Sequence, residues 1–334
     1  MKTSIDNKAL VTGCAGFIGY HVTRRLLAEG YEVIGIDNLN DYYEVALKEA
    51  RLSRINAHPR FSFYRLDLQD RAGLEKIFAE HEPHAAVNLA AQVGVRYSVE
   101  NPMAYIESNI AGFTHLLECA RQASLRHLVY ASSSSVYGMG GSMPFTVRQN
   151  TDHPISVYAA TKKANELLAY TYSHLYGLPV TGVRFFTVYG PWGRPDMAVF
   201  LFARRILEGK PIQVFNEGGM SRDFTYIDDA VECVSRLLRN PPAPQADLAE
   251  RDAPFRVLNV GSGRPVSLLE MISLLEDKLG KKAVKEWLPI QAGDVKETFA
   301  DTDDLEQTIG FVPNTRFSDG INEFVTWFKQ YYGV

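Results

Sequence analysis

Cysteine is scarce: Cys14, Cys119 and Cys233 are the only three in 334 residues. Their odd number and wide spacing give neither a disulfide framework nor a metal knuckle, and they fit a reducing, cytoplasmic compartment. Eight histidines are scattered without ligand spacing, so no metal site is expected. No apolar run approaches the roughly 18 residues of a membrane span, and residues 1–8 are too polar for a signal peptide. A basic tract is missing as well. With a net charge of −4 the chain offers nucleic acid no electrostatic footprint. Internal repeats and low-complexity tracts are absent too.

What remains is an ordinary globular composition, 46% hydrophobic and 22% charged, long enough for a sizeable core and two domains. Strand patterns at 9–12, 32–36, 61–66, 85–89, 128–131 and 180–185 alternate with helical ones at 17–29, 46–56, 74–80, 104–122 and 157–176. Such alternation predicts an α/β fold, a doubly wound parallel (Rossmann) sheet with ligands beyond the carboxyl ends of its strands. Past Gly190 the pattern loosens. A helix at 197–208, strands at 212–215 and 223–226, and a helix at 228–239 precede a Pro-rich, charged loop at 240–254. A strand at 256–260 follows, then a helix to Leu279 opened by a capping box at Ser267 and Glu270, and an aromatic helix at 317–332. The expected division is a nucleotide-binding domain at 1–190 and a smaller α/β substrate lobe at 191–334, partly interleaved with it.

The strand at 9–12 breaks at Gly13, and Gly16 and Gly19 follow at steps of three before a helix. A strand, a glycine turn and a helix start together make a phosphate site. The first helical N–H groups carry partial positive charge, and residues without Cβ let a pyrophosphate come close. Asp37 ends the next strand, 18 residues past Gly19, where an acid grips adenosine ribose hydroxyls. A tight packing turn is the plain alternative, but strand, helix and acid are all in place for a dinucleotide. The spacing Gly-x-x-Gly-x-x-Gly departs from the commoner Gly-x-Gly-x-x-Gly.

Tyr158 and Lys162 stand four apart in a helical pattern, one turn apart on one face. A phenol near pKa 10 is a poor base unless nearby cations favour the phenolate. So tuned, it could take a proton from a sugar hydroxyl while hydride leaves the same carbon. Alone the pair reads as a surface tyrosine beside a lysine; after a nucleotide fingerprint it gains weight. Ser132 to Ser135 follow a buried strand and precede Val-Tyr-Gly, which aims several hydroxyls into the ligand crevice.

On these motifs the chain resembles the extended short-chain dehydrogenase/reductase family over nearly its full length. Gly13-x-x-Gly16-x-x-Gly19 is that family's spacing, Tyr158-x-x-x-Lys162 its catalytic pair and Ser133 its third catalytic member. Within it the chain is most similar to the UDP-glucuronate 4-epimerases, through 37–43, Gly94-Val-Arg96-Tyr-Ser98, 131–138 and 184–197. The resemblance implies NAD, held throughout the cycle by Gly13, Gly16, Phe17, Ile18, Gly19, Asp37, Asn38, Asn40, Asp67, Leu68, Leu89, Ala90, Ala91, Gln92, Ala131, Tyr158, Lys162 and Phe185. Asn109 would support the phosphate loop. Tyr158 would deprotonate the C4 hydroxyl, and Lys162 would hold the nicotinamide ribose and lower the Tyr158 pKa. A UDP-sugar substrate would meet Arg96, Ser133, Ser134, Ser135, Tyr158, Thr187, Arg194, Val214, Phe215, Arg222, Gln291 and Asp294. Gln291 stands where UDP-galactose 4-epimerases carry arginine. The equivalents of helices 104–122 and 157–176 pair across a twofold axis in this family, which implies a homodimer.

Three other activities share this framework. UDP-galactose epimerases typically carry Ala-Thr at the position of Ser134-Ser135. The 4,6-dehydratases carry Asp-Glu there, and two serines cannot replace that acid and base. Ser134, Ser135, Thr187 and Arg194 can instead hydrogen-bond a carboxylate. A UDP-glucuronate decarboxylase is the third, because a 4-keto uronic acid readily loses carbon dioxide. A non-enzymatic NAD sensor would be expected to lose Tyr158 or Lys162, and both are present.

Overall fold

A computed structural model describes residues 7–139, 141–244, 253–289 and 295–334. The apolar runs of the first half become β1 (Lys8–Thr12), β2 (Glu32–Asp37), β3 (Phe61–Arg65), β4 (Ala85–Asn88), β5 (His127–Ser133) and β6 (Val180–Phe185). Beyond them lie β7 (Thr187–Tyr189), β8 (Ile212–Phe215), β9 (Ser221–Tyr226), β10 (Phe255–Val260), β11 (Pro265–Ser267), β12 (Lys285–Leu288) and β13 (Glu297–Thr298). Seven strands form one parallel sheet in the order β10-β6-β5-β4-β1-β2-β3. Its seventh strand, β10, comes from the second half of the chain.

Both faces of this sheet are covered, so its strands are apolar on both sides. Leu10, Ile34, Ala86 and Leu128 enter one core with Leu74, Phe113, Leu116 and Ala169. Their neighbours Val11, Val33, Val87 and Val129 enter the other with Val22, Leu26, Val231 and Val234. Strand alternation alone sorts them. No helix is long and apolar enough to cross a membrane among the described residues.

The helix expected at 104–122 is divided into Pro102–Tyr105, a π-helical turn at Ile106–Ala111, and Gly112–Gln122. The helix Val157–Tyr176 runs unbroken, capped by Ser156 at one end and ended by Gly177 at the other. Ser267 caps Leu268–Leu279 through the Glu270 N–H, as its sequence implies. Strands β7, β11 and β13 have two or three residues each and carry no readable period. They attach around β9, while β8 pairs with β12. The 240–254 loop lies largely outside the described residues.

Candidate active site

Chain order reverses between β1 and β4, and a cleft of about 720 Å³ opens above their carboxyl ends. The Thr12 hydroxyl ties the two strand ends together, donating to Asn88 Oδ1 (2.6 Å) and accepting from Leu89 and Ala90 N–H (3.2 Å each). Gly13 turns the chain with φ +70°, and a Cβ there would lie 2.7 Å from the Ala90 nitrogen. At Gly19 a Cβ would stand 2.0 Å from the Gly13 oxygen, so this glycine lets helix and turn touch. Gly16 opens the helix Phe17–Ala28 without a side-chain cap. The first N–H groups of that helix are therefore available to an anion.

Asp37 is buried at the end of β2. Its Oδ2 accepts from Ala15 N–H (3.0 Å) and its Oδ1 from Leu39 N–H (2.9 Å), which leaves further lone pairs for a vicinal diol. Asn38 donates to Asp67 Oδ2 at 2.7 Å, joining the ends of β2 and β3. Lys48, absent from the sequence reading, is buried against this loop and donates to the Asn40 backbone oxygen (2.6 Å) and side-chain oxygen (2.7 Å). Burial pushes its ammonium pKa down, opposed by the nearby Asp37. Leu68, Leu89, Ala90, Ala91, Gln92, Ala131 and Phe185 line the same cleft. An adenosine diphosphate moiety fits these donors and acceptors: pyrophosphate at the uncapped helix, ribose at Asp37.

Asn109 sits elsewhere than expected. It does not line the cleft or touch the glycine turn. Its side chain brackets Gln92, accepting from its N–H (2.7 Å) and donating to its oxygen (3.0 Å), and it also donates to Thr161 (3.0 Å). The π-helical turn puts Asn109 behind the loop that follows β4.

At the end of β5 the serines divide. Ser132 turns inward and donates to Glu166 (2.6 Å), whose carboxylate is forked by the buried Arg184 at 2.8 Å. Ser133 donates to Ser135 Oγ at 3.1 Å and hydrogen-bonds the Tyr158 phenol. Burial raises the phenol pKa; Ser133 and Arg194 pull it down, and Asp196 pushes it up. Lys162 is buried with its pKa lowered to about 8, and it donates to the Ala131 oxygen at 2.9 Å. Its Nζ lies 5.9 Å from the Tyr158 ring centre. Ser133 and Arg194 thus lower the phenol pKa here, and the Lys162 ammonium is directed at the strand end.

Thr187 and Arg194 face the same cleft. Arg194 does not stand alone: its Nε and Nη2 fork onto Asp196 at 3.0 and 2.6 Å, and Asp196 also accepts from the Tyr42 hydroxyl at 3.3 Å. Arg96 lies over the Phe215 ring, 5.3 Å from its centre. Val214 is fully buried; alternation along β8 presents Gln213 and Phe215 to the cleft instead. Arg222 lines the cleft and donates to the backbone oxygens of Ser221 and Lys296. Gln291 and Asp294 lie outside the described residues.

Two buried side chains fix the loop that carries Arg194. The fully buried Arg51 guanidinium donates to the Ala15, Trp192 and Gly193 oxygens (2.8, 2.7 and 3.3 Å) and to the Tyr43 hydroxyl (2.7 Å). His21, on the glycine-turn helix, bonds Pro191 O at 3.0 Å. Leu47, Lys48, Arg51 and Leu52 share one buried helix face. Two charges on an apolar stripe were the available sequence signal for both Lys48 and Arg51.

Residues 9–261 match the NAD dependent epimerase/dehydratase family, and the chain belongs to it. Protein CapI of Staphylococcus aureus is 52% identical over 97% of this chain and 99% of its own length. A probable UDP-glucuronate 4-epimerase of Rhizobium meliloti is 47% identical, covering 97% of each chain. The crystal structure of UDP-glucuronic acid 4-epimerase from Bacillus cereus with UDP-glucuronic acid and NAD superposes with a TM-score of 0.88. It is 33% identical, over 97% of this chain and 100% of that one.

Proposed function

We propose that this member of the NAD dependent epimerase/dehydratase family inverts C4 of UDP-glucuronate, giving UDP-galacturonate through a 4-keto intermediate. The relatives support a nucleotide-sugar 4-epimerase that uses NAD. One observation carries the choice of sugar: Ser134, Ser135, Thr187 and Arg194 line the same cleft as the Tyr158–Ser133 pair. A carboxylate has about four lone-pair sites and accepts a guanidinium fork, which a hydroxymethyl group does not.

Bound NAD supplies a reversible hydride acceptor in the cleft. Tyr158 takes the C4 hydroxyl proton at its phenol oxygen and returns it after the keto sugar has turned over. Ser133 orients that phenol. Lys162, largely cationic at neutral pH, adds positive charge at the end of β5. The hydroxyls of Ser134, Ser135 and Thr187 hold the sugar carboxylate, with Arg194. That grip keeps its C–C bond out of line with the C4 carbonyl and so limits loss of carbon dioxide. Arg222 takes the diphosphate, and Arg96 with Phe215 flanks the uracil. Gln291 and Asp294 complete the nucleotide site. In this reading residues 1–190 hold the cofactor and also supply Arg96, Ser133, Ser134, Ser135, Tyr158 and Thr187 to the sugar nucleotide, while 191–334 add Arg194, Phe215 and Arg222 and interleave with the first part through β10. Exposed Met103, Ile106, Leu167 and Leu175 on the Pro102–Gln122 and Val157–Tyr176 stretches support a homodimer joined there.

A second reading has one observation in its favour. Asp196 already engages two nitrogens of Arg194, which suits a neutral hexose and hence a UDP-glucose/UDP-galactose 4-epimerase. Incubation with UDP-glucuronate and with UDP-glucose, followed by proton NMR, separates the two. Formation of UDP-galacturonate with at most trace UDP-xylose is expected. Turnover of UDP-glucose as fast as UDP-glucuronate would overturn the uronate assignment.

A further inference from the structure

Arg194 and Asp196 are two residues apart in a tight turn closed by the Met197 N–H to the Arg194 oxygen at 3.2 Å. Arg51 holds the turn from behind through the Trp192 and Gly193 oxygens, so the pair is presented on a fixed backbone. Both side chains are mostly covered, at 22% and 29% exposure, and both line the cleft that holds Tyr158. The geometry is a two-point fork of guanidinium on carboxylate, the arrangement a uronic acid would itself adopt with Arg194. Tyr42 steadies the same carboxylate from the opposite loop.

We propose that Asp196 is a specificity-determining residue, the resident carboxylate that competes with the sugar carboxylate for Arg194. The inference rests on the uronate reading above for its substrate. Its chemistry is independent of which sugar the wild type prefers. A guanidinium in a mostly covered site is costly without a counter-charge. With a neutral hexose in place Asp196 supplies that charge, and the sugar binds without burying an unpaired cation. With a uronic acid in place two carboxylates face one guanidinium. The sugar must then share Arg194 through its remaining nitrogen or displace Asp196. Asp196 therefore moderates the preference for charged sugars, because it makes the neutral-sugar complex tolerable and the uronate complex less tight. The site keeps its shape either way, because the backbone of the turn is held by Arg51.

The test is the ratio of kcat/KM for UDP-glucuronate to that for UDP-glucose, in the wild type, Asp196→Asn and Asp196→Glu. Asp196→Asn keeps the size of the side chain and removes its charge. The ratio should rise about tenfold, roughly 1.4 kcal/mol, through a lower KM for UDP-glucuronate and a higher one for UDP-glucose. Asp196→Glu restores the charge and should return the ratio to within about threefold of the wild type. Direct binding of each nucleotide sugar by calorimetry gives the same ratio for any variant too slow to assay. Retention of the wild-type melting temperature and bound NAD content shows that a variant is folded. A ratio that falls or stays constant in Asp196→Asn overturns the proposal and makes Asp196 a support that merely orients Arg194. A wild type that shows no preference for UDP-glucuronate overturns the uronate reading instead. The Asn variant must even then move toward the uronate if Asp196 competes as proposed.

Discussion

At the end of the cleft proposed for adenosine the lining groups come from strand–turn–helix units: Gly13 to Gly19 after β1, Asp37 to Asn40 at the end of β2, Asp67 and Leu68 after β3. At the sugar end they arrive from distant stretches: the serines after β5, Thr187 on β7, Arg194 on a loop, Phe215 on β8 and Arg222 on β9. Within each unit at the first end the ligand-facing groups are near neighbours in sequence, and the units are joined across the sheet by Thr12 to Asn88 and Asn38 to Asp67. The second includes the loop of Arg194, which Arg51 and His21 fasten through Pro191–Gly193 to the glycine turn and its helix. A cofactor site built locally can stay fixed while a long-range sugar site is rearranged around it.

The sharpest break between the ends is chemical. Tyr158→Phe removes the proposed proton acceptor and keeps the ring. Turnover should fall by about two to four orders of magnitude, while NAD recovered from denatured protein is unchanged. Near-normal turnover would assign the base elsewhere.

Acid should loosen the fastening between the ends. Burial lowers the His21 pKa from 6.5 to about 3, so this ring stays neutral while the unfolded chain protonates. Its contribution is whole above pH 6.5 and is lost as pH falls toward 3, by up to about 4 kcal/mol over that window. Urea unfolding of the wild type should weaken correspondingly on acidification, and His21→Gln should show a shallower slope. Equal slopes would remove His21 from the explanation.

Arg51→Met leaves carbonyls on both sides of the cleft without their donor. A loss of about 3 kcal/mol is expected in denaturant unfolding, together with a raised KM for the sugar and faster loss of NAD. Arg51→Lys should recover less than half, since one ammonium cannot span both loops. A variant that weakened only one ligand would deny the coupling between the ends.

The smallest effect is confined to the sugar end. Arg194→Ala should cost at least about tenfold in kcat/KM on UDP-glucuronate, by the rule of roughly 1.4 kcal/mol per decade. It should cost UDP-glucose less, because that sugar loses only the pull of Arg194 on the Tyr158 phenol, and it should leave NAD content unchanged, which parallel assays on both sugars would show.

The difference between the ends also decides what the sequence could tell. The parallel sheet was legible because each buried strand is a short apolar run between helical periods. The glycine turn between strand and helix and the acid at the end of β2 were legible because Gly13, Gly16, Gly19 and Asp37 have fixed local offsets. Val214 was misplaced because alternation along β8 settles which residue faces the cleft only after β8 finds β12. The bracing of Gln92 by Asn109 was not legible, because it joins a helical turn to the loop after β4, 17 residues away. The Arg194–Asp196 fork was visible as a spacing of two but not as an ion pair, because nothing local says which way either side chain turns. Tyr158 and Lys162 were rightly placed on one helical face. That Ser133 and Arg194 also lower the phenol pKa is a tertiary fact, since both reach it from other elements.

The central claim is that one cleft removes and returns hydrogen at C4 of a UDP-uronic acid without exchange with solvent. UDP-glucuronate deuterated at C4, turned over by the pure protein, tests it most directly. Deuterium retained at C4 of UDP-galacturonate is the expected NMR result. Loss of the label to water, or release of carbon dioxide with UDP-xylose as the main product, would contradict it.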